Sequence, residues 1–307
     1  MSDPSHTGFH KPYFIVTWVE FGISMFFLAA RCYTALRITK YVACDLHLAI
    51  VTFVFGAASM VMLTLAAQAG LGVHETVLNS TENHYALLFG WLNQFLALIA
   101  IGLGKLTIVA FLQQIQGYHT RFRSTLLWSL AGSNFIVNCI AAVLLLVQCD
   151  PVQKLWDDSV PGQCDGRRRV QVFGYVQGTW SAVCDFALAL FPILLFARIR
   201  VISITTRIGL SILMGSGIAA GACAIVKTIR LARLTTFTDA THQLGNVIVW
   251  NQSEMWVVFV ASCLPPTKVL FAHLLQQGSK GLSSLCAWSS RGGFDHEGSG
   301  VDSISSH

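Results

Sequence analysis

The stretch Cys149–Cys164 reads CDPVQKLWDDSVPGQC and is the only long polar interruption framed by two cysteines in an otherwise apolar chain. Apolar runs of membrane-spanning length lie on both sides of it. The side of the bilayer that this loop faces therefore sets the side of every other loop. If it faces an oxidising compartment, we expect a disulfide between Cys149 and Cys164.

The composition around this loop is that of a membrane protein. Hydrophobic residues make up 54% of the 307 residues and charged residues only 11%, whereas a soluble domain carries roughly 25% charged residues. A spanning helix needs about 20 apolar residues, so the chain has room for seven spans joined by short loops. We expect an all-α membrane protein, a seven-transmembrane helix bundle, whose first partner is the lipid bilayer. We interpret the net charge of +5 as an indication of how the chain is oriented in the membrane, and no nucleic-acid partner is predicted.

The apolar runs divide the chain into a bundle and two tails. The predicted spans are about 13–36, 45–67, 86–112, 124–147, 170–197, 208–234 and 244–275. The seven-helix domain then covers 13–275, and residues 1–12 form a short extracellular tail. Residues 276–307 are rich in Ser and Gly and are predicted to be a disordered cytoplasmic tail.

Basic residues in the connectors predict the orientation. Those after spans one, three and five carry Arg37, Lys40, Arg121, Arg123, Arg198, Arg200 and Arg207, whereas those after spans two and six carry none. The positive-inside rule then places the N-terminus outside and the C-terminus in the cytoplasm. The cysteine loop holds Lys154 and the run 167–169 of arginines, but its four aspartates offset that charge. In this orientation Asn79, in the sequon Asn79-Ser80-Thr81, is a glycosylation candidate.

Ionisable residues inside the apolar runs are candidate site residues, because each costs several kcal/mol in a bilayer unless it is paired or faces water. Together with a histidine of the outer loop, they predict an outward-opening pocket with both signs of charge, suited to a small polar or acidic ligand. The pocket candidates are Glu20, His74, Asp185, Lys227, Arg230 and Glu254. The alternative interpretation is interhelical ion pairs that only hold the bundle together, or snorkelling at the interface. Lys105 and Lys268, near the cytoplasmic ends, favour snorkelling or a structural role.

No cofactor or metal is predicted. Lys268 in the seventh span invites a retinal Schiff base, but it follows Pro265 and Pro266 and lies in the last third of the span, which argues against retinal. The three histidines near the outer face have no helical ligand spacing, and HExxH is absent.

A set of residues in fixed order resembles the fungal rhodopsin-domain family. These residues are Gly70-Leu71-Gly72-Val73-His74, Lys105, Cys149, Pro151, Trp156, Cys164, Asp185, Pro192, Arg230, Asp239, Trp250, Glu254 and Pro265. The resemblance implies a fungus-specific seven-helix membrane protein, receptor-like and related to fungal G-protein-coupled receptor candidates, and it does not imply retinal. Members of the family commonly occur beside secondary-metabolite biosynthetic genes. Where the family usually has an acidic pair at the start of span two, this chain has Cys44-Asp45.

Two functional hypotheses follow. The first is a receptor-like protein, at the plasma membrane rather than the endoplasmic reticulum, that binds a small extracellular ligand and signals through its basic connectors to a cytoplasmic G protein. The alternative is a membrane-embedded enzyme or accessory factor in a secondary-metabolite pathway, with Asp185 or Glu254 as a general acid. A transporter is a third hypothesis. The residues assign no catalytic group, so an enzyme is the less favoured interpretation.

Overall fold

The computed structural model describes residues 11–39, 44–73, 78–116, 121–157, 159–196, 204–232, 241 and 243–264. Seven long helices run through these residues, and no strand is found among them. The helices are α1 Lys11–Tyr33, α2 Cys44–Gln68, α3 Ser80–Gln116, α4 Arg121–Leu146, α5 Arg167–Phe196, α6 Ile204–Ala232 and α7 Gln243–Leu264. A π-helical segment, Thr34–Thr39, continues α1. His74, Lys268 and the two tails lie outside the described residues.

Six of the helices in the described part of the chain, all but α5, are long and apolar enough to cross a bilayer. Helix α5 has 30 residues, begins with three arginines and contains Gln171, Gln177 and Asp185. It packs against α4 and α6 and so belongs to the bundle. The predicted all-α, seven-helix membrane fold is confirmed, and the sidedness of the termini stays a prediction.

Small residues allow α5 and α6 to approach closely. A Cβ atom on Gly217 would lie 2.6 Å from the Cβ atom of Ala189, and one on Gly221 would lie 2.8 Å from the ring of Phe186. The two glycines are four residues apart and therefore lie on one face of α6. Without side chains there, the two helices can pack with their backbones close together, as small residues permit in membrane bundles.

The distribution of polarity is that expected of a bundle in lipid. Large apolar side chains such as Ile15 and Phe26 are 60% and 64% exposed on the outside of α1. An aromatic cluster of Phe21, Phe53, Trp256 and Phe259 joins α1, α2 and α7 inside the bundle. Many polar side chains are nevertheless buried between the helices, where the lipid offers no hydrogen bonds.

The loop between α4 and α5 is folded against the end of the bundle. Cys149 and Cys164 form a disulfide, which confirms the predicted bond. Beside it, the backbone N–H of Asp150 donates to the carbonyl of Gln163 at 2.9 Å, and the N–H of Gln163 donates back at 3.0 Å. Between the cysteines, a short 3₁₀ helix, Val152–Leu155, ends with Leu155 buried. The loop is therefore a closed, ordered structure above the helix ends.

Candidate functional site

Four charged side chains from four different helices meet in the centre of the bundle. They are Lys105 of α3, Asp185 of α5, Lys227 of α6 and Glu254 of α7, and none is more than 4% exposed. We call them, together with Ser181 and Asn251, the central network. Two ammonium groups balance two carboxylates. Such balance is required here, because an unpaired ion in this environment costs several kcal/mol.

Lys105 is the fully bonded lysine of the network. Its Nζ lies 3.1 Å from Oδ1 of Asp185 and donates to the carbonyl and the hydroxyl oxygen of Ser181, at 2.8 and 2.7 Å. An ammonium group has three N–H donors, so each of them has an acceptor. Asp185 is less complete: its Oδ2 is buried and has no hydrogen-bond partner among the described residues.

Lys227 pairs with the other carboxylate. Its Nζ lies 2.5 Å from Oε2 of Glu254 and donates to Oδ1 of Asn251 at 3.1 Å. The amide nitrogen of Asn251 in turn donates to Oε1 of Gln94 at 2.8 Å. This chain of bonds ties α6 and α7 to α3 and fixes the orientation of the Asn251 amide.

Ser181 joins the two ion pairs. Its hydroxyl donates to Oε1 of Glu254 at 2.6 Å and accepts from Lys105. Within α5, Gln177, Ser181 and Asp185 are spaced four residues apart, which places all three on one face of the helix. The four charged groups therefore belong to a single hydrogen-bonded unit.

A cavity of about 100 Å³ lies on the loop side of the central network, between helices α3 to α7. Apolar side chains such as Leu98, Leu145 and Val247 form much of its wall. Lys227, Asn251 and the amides Gln94 and Gln177 also line it, and Gln148 and Arg167 mark the end nearest the cysteine loop. No acidic side chain is among its lining residues.

A much smaller space of about 20 Å³ lies on the opposite side of the network and is lined by Asp185, Ser216 and Gly217, among others. It is large enough for about one water molecule. The central network thus separates two cavities, with Lys227 at the first and Asp185 at the second.

The predicted pocket residues are distributed differently from the expectation. Lys227 lines the larger cavity, but Asp185 and Glu254 belong to the central network and do not line it. Arg230 is exposed on α6 and does not line it either. Glu20 of α1 lies beside Ser253 of α7. The cavity therefore has positive charge and an apolar wall, in place of the polar pocket with both signs of charge that we expected.

Sequence reasoning missed several members of the site. Lys105 is 0% exposed, so it is an interior ion-pair residue and does not snorkel. Ser181, Gln94 and Asn251 carry no charge, so a search for ionisable residues inside the apolar runs does not find them as site residues. The available signal was spacing: polar residues at intervals of four within an apolar run, as in α5, mark a buried polar face.

A second buried ionic cluster lies at the other end of the bundle. Arg31 donates to Oδ2 of Asp45 at 2.6 Å and to the carbonyl of Ser262 at 2.7 Å. The second carboxylate oxygen accepts from Gln114 at 2.9 Å. We call these four residues the end cluster. It connects α1, α2, α3 and α7, and Arg31 was overlooked although it lies inside the first apolar run.

The cysteine loop meets the start of α3 at a polar surface. Nδ1 of His84 lies 3.8 Å from Oδ2 of Asp157. The hydroxyl of Ser159 donates to Oδ1 of Asp157 at 2.5 Å, and its backbone N–H donates at 3.0 Å. These bonds from Ser159 hold the pKa of the partly exposed Asp157 carboxyl below its ordinary value.

Asn79, just before α3, is exposed, and its backbone N–H donates to Oε2 of Glu82 at 3.1 Å. Its glycosylation stays a prediction. Among the described residues, no group of three or more His, Cys, Asp or Glu side chains is placed to hold a metal ion.

Comparison with known proteins assigns a family to this architecture. The model of the fungal rhodopsin domain matches residues 30–273. Fugralins biosynthesis cluster protein 2 of Gibberella zeae is 27% identical over 188 residues, covering 60% of this chain and 45% of that protein. Wortmanamides biosynthesis cluster protein C of Talaromyces wortmannii is 22% identical over 246 residues, covering 77% and 64%. The chain thus spans less than two thirds of each relative. No solved structure matches it.

Proposed function

The chain belongs to the fungal rhodopsin domain family, and on that premise we propose that it is a receptor-like membrane protein that binds a small molecule in the larger cavity. The ligand enters from the side of the cysteine loop, which the positive-inside rule places outside the cell. The plasma membrane is the proposed location. A G protein at the cytoplasmic connectors is the proposed signalling partner.

The larger cavity is the observation that carries this proposal. It combines an apolar wall with a few polar groups, such as Lys227 and Asn251 beside the central network and Arg167 at the loop end, which is the usual composition of a small-molecule site. An apolar cavity of about 150 Å³ accommodates benzene, so the space of about 100 Å³ suits a molecule smaller than benzene, such as a short alkyl chain.

The central network gives such a ligand a route to the rest of the bundle. A molecule that contacts Lys227 touches one end of the chain Lys227, Glu254, Ser181, Lys105, Asp185, whose members are joined by hydrogen bonds or ion pairs. Asp185 lies at the smaller cavity on the other side. A change in the Lys227–Glu254 pair can therefore alter the packing of α5 and α6 on the opposite side of the network.

Filling the cavity tests binding. Ala141 of α4 lines the cavity, and Ala141→Phe places a ring inside it. Ile140 is the neighbouring residue and is 43% exposed, so Ile140→Phe is the matched control. Each variant would be purified from the native host, and the small molecules that copurify would be identified by mass spectrometry. A compound retained by the wild type and Ile140→Phe but lost from Ala141→Phe supports the proposal, whereas identical profiles contradict it.

A second candidate function is a membrane-embedded enzyme or accessory factor in a metabolite pathway. The names of the two relatives favour it, because both are biosynthesis cluster proteins. Against catalysis, Asp185 and Glu254, the proposed general acids, do not line the larger cavity.

The two candidates differ in location and in the fate of the ligand. A tagged copy at native expression level would be compared with plasma-membrane and endoplasmic-reticulum markers. Residence at the cell surface and recovery of an unchanged ligand after incubation support the receptor. Residence in an internal membrane, with conversion of the ligand that Glu254→Gln abolishes, supports the enzyme.

A further inference from the structure

The two lysines of the central network differ in how completely they are bonded. Lys105 has three acceptors for its three N–H groups. Lys227 has two among the described residues, Oε2 of Glu254 and Oδ1 of Asn251. Lys227 is also the lysine that lines the larger cavity. One N–H donor is therefore left at the polar end of an otherwise largely apolar space.

The charge balance decides which kind of ligand atom can accept a hydrogen bond from that donor. The ammonium of Lys227 is already neutralised by Glu254 at 2.5 Å, and the network as a whole has two positive and two negative groups. A ligand carboxylate at the same nitrogen would place two anions on one ammonium, deep in the bundle, where an excess charge is costly. A neutral acceptor adds a hydrogen bond and leaves the balance unchanged.

Arg167 is the other positive residue of the cavity. It begins α5 at the loop end and has an interaction of its own. Lys227 lies far along α6 and is 4% exposed. The charge of Arg167, at the loop end of the cavity, therefore does not change the charge balance around Lys227.

From this geometry we infer that the cavity takes a neutral, mostly apolar ligand. A carbonyl oxygen of this ligand, in an amide, ketone or ester, accepts a hydrogen bond from the third N–H of Lys227. The inference rests on the proposed binding function and names its ligand class. It replaces the small polar or acidic ligand that the sequence suggests. Asn251 is not the acceptor for this third N–H. Its amide oxygen already accepts from another N–H of Lys227, and its amide nitrogen donates to Gln94.

Three photoreactive probes of one shape test the inference. Each is a short alkyl chain with a diazirine at one end and, at the other, a carboxamide, a carboxylate or a methyl group, so that its size suits a space of about 100 Å³. The full-length protein in lipid nanodiscs would be irradiated with each probe and the labelled residues identified by mass spectrometry. Label on Leu145 and Val247, which line the cavity, is divided by label on Val143, which is 55% exposed. This ratio removes differences in how the probes partition into lipid.

We expect the carboxamide ratio to exceed the methyl ratio by roughly tenfold, as a hydrogen bond to a charged donor allows, and the carboxylate ratio to stay low. A carboxylate ratio above the carboxamide ratio, or equal ratios for all three probes, overturns the inference and leaves cavity binding intact. If no probe labels the cavity more than Val143, both the inference and the proposed function fail.

A double variant separates the hydrogen bond from folding. Lys227→Met combined with Glu254→Gln removes one charge of each sign, so no buried ion is left unpaired. In this protein we expect the carboxamide ratio to fall to the methyl ratio, while labelling by the methyl probe is unchanged. Lys227→Arg, which keeps a cationic donor, should retain a preference for the carboxamide. An undiminished carboxamide preference in the double variant would overturn the assignment to Lys227.

Discussion

The central network and the end cluster are both buried ion-pair systems between helices, and of the two cavities described above each adjoins the central network. In the end cluster, both carboxylate oxygens of Asp45 are bonded, by Arg31 and Gln114, and Arg31 also donates to Ser262. None of those four residues lines either cavity described above. In the central network, Asp185 has an unpartnered oxygen and Lys227 has only two acceptors among the described residues.

The difference shows how one kind of interaction serves two purposes in this bundle. A cluster whose carboxylate has both oxygens bonded, and which adjoins neither of the two cavities described, acts as a clamp between helices. A cluster that is balanced in charge but incomplete in hydrogen bonds can bind a ligand without a change in net charge. The predictions below test this contrast, beginning with the largest expected effect.

Arg31→Ala should cause the largest loss of stability. It leaves Asp45 buried without its cation, and breaking one partner of a buried pair costs roughly 3–5 kcal/mol. Thermal unfolding of the detergent-purified protein measures the loss. Arg37→Ala, at an exposed position one and a half turns further along the chain, is the control and should change stability little. If both variants unfold at the same temperature, the end cluster is not a clamp.

Removal of the disulfide should have the next largest effect. It closes a loop whose ends are 15 residues apart in sequence, for which about 3 kcal/mol is expected. The loop lies at the mouth of the larger cavity, so ligand binding should weaken along with stability when Cys149→Ser and Cys164→Ser are combined. Reductant should destabilise the wild type and leave the double variant unaffected. A wild type that is equally stable when fully reduced would rule out this role.

Breaking the cavity-side ion pair should cost less than breaking the end cluster. In Glu254→Gln the new amide oxygen still accepts from Lys227, and the adjoining cavity admits water, so we expect a loss of about 2 kcal/mol. Adding Lys227→Met should restore stability to within about 1 kcal/mol of the wild type, since no ion is then left unpaired. Chemical unfolding of Glu254→Gln, Lys227→Met and the double variant gives the coupling energy. Additive losses would mean that the two residues do not act as a pair.

Ser181→Ala should have the smallest effect on stability, about 1 kcal/mol, because one hydroxyl is lost and both ion pairs remain. It removes the hydroxyl link between the pairs, so the coupling measured between Glu254→Gln and Asp185→Asn should fall. Ser133→Ala is the matched control, since the Ser133 hydroxyl bonds only the Leu130 carbonyl of its own helix, at 2.9 Å. If the coupling between Glu254→Gln and Asp185→Asn is the same with and without the Ser181 hydroxyl, the network consists of two independent ion pairs.

Much of the site could be found from sequence because charge inside an apolar run is conspicuous. Asp185, Lys227 and Glu254 were identified in this way, and all three lie in the central network. The position of Lys105 near the end of its run predicts snorkelling or a structural role, and the buried ion pair with Asp185 decides between the two. Arg31 lies close to the end of the first apolar run, where a basic residue is also typical of a membrane interface. Uncharged partners such as Ser181 and Asn251 carry no comparable signal.

The sequence by itself determined the class of fold, the helix positions to within a few residues, and the cysteines that form the disulfide. These features depend on local properties: a run of about 20 apolar residues must form a helix in lipid, and two cysteines frame one loop. Only the tertiary structure decided which charges pair, where the cavity lies and which lysine of the central network lines it. Those depend on how far each helix is rotated and shifted against its neighbours, and contacts such as Gly217 with Ala189 fix that register across separate helices.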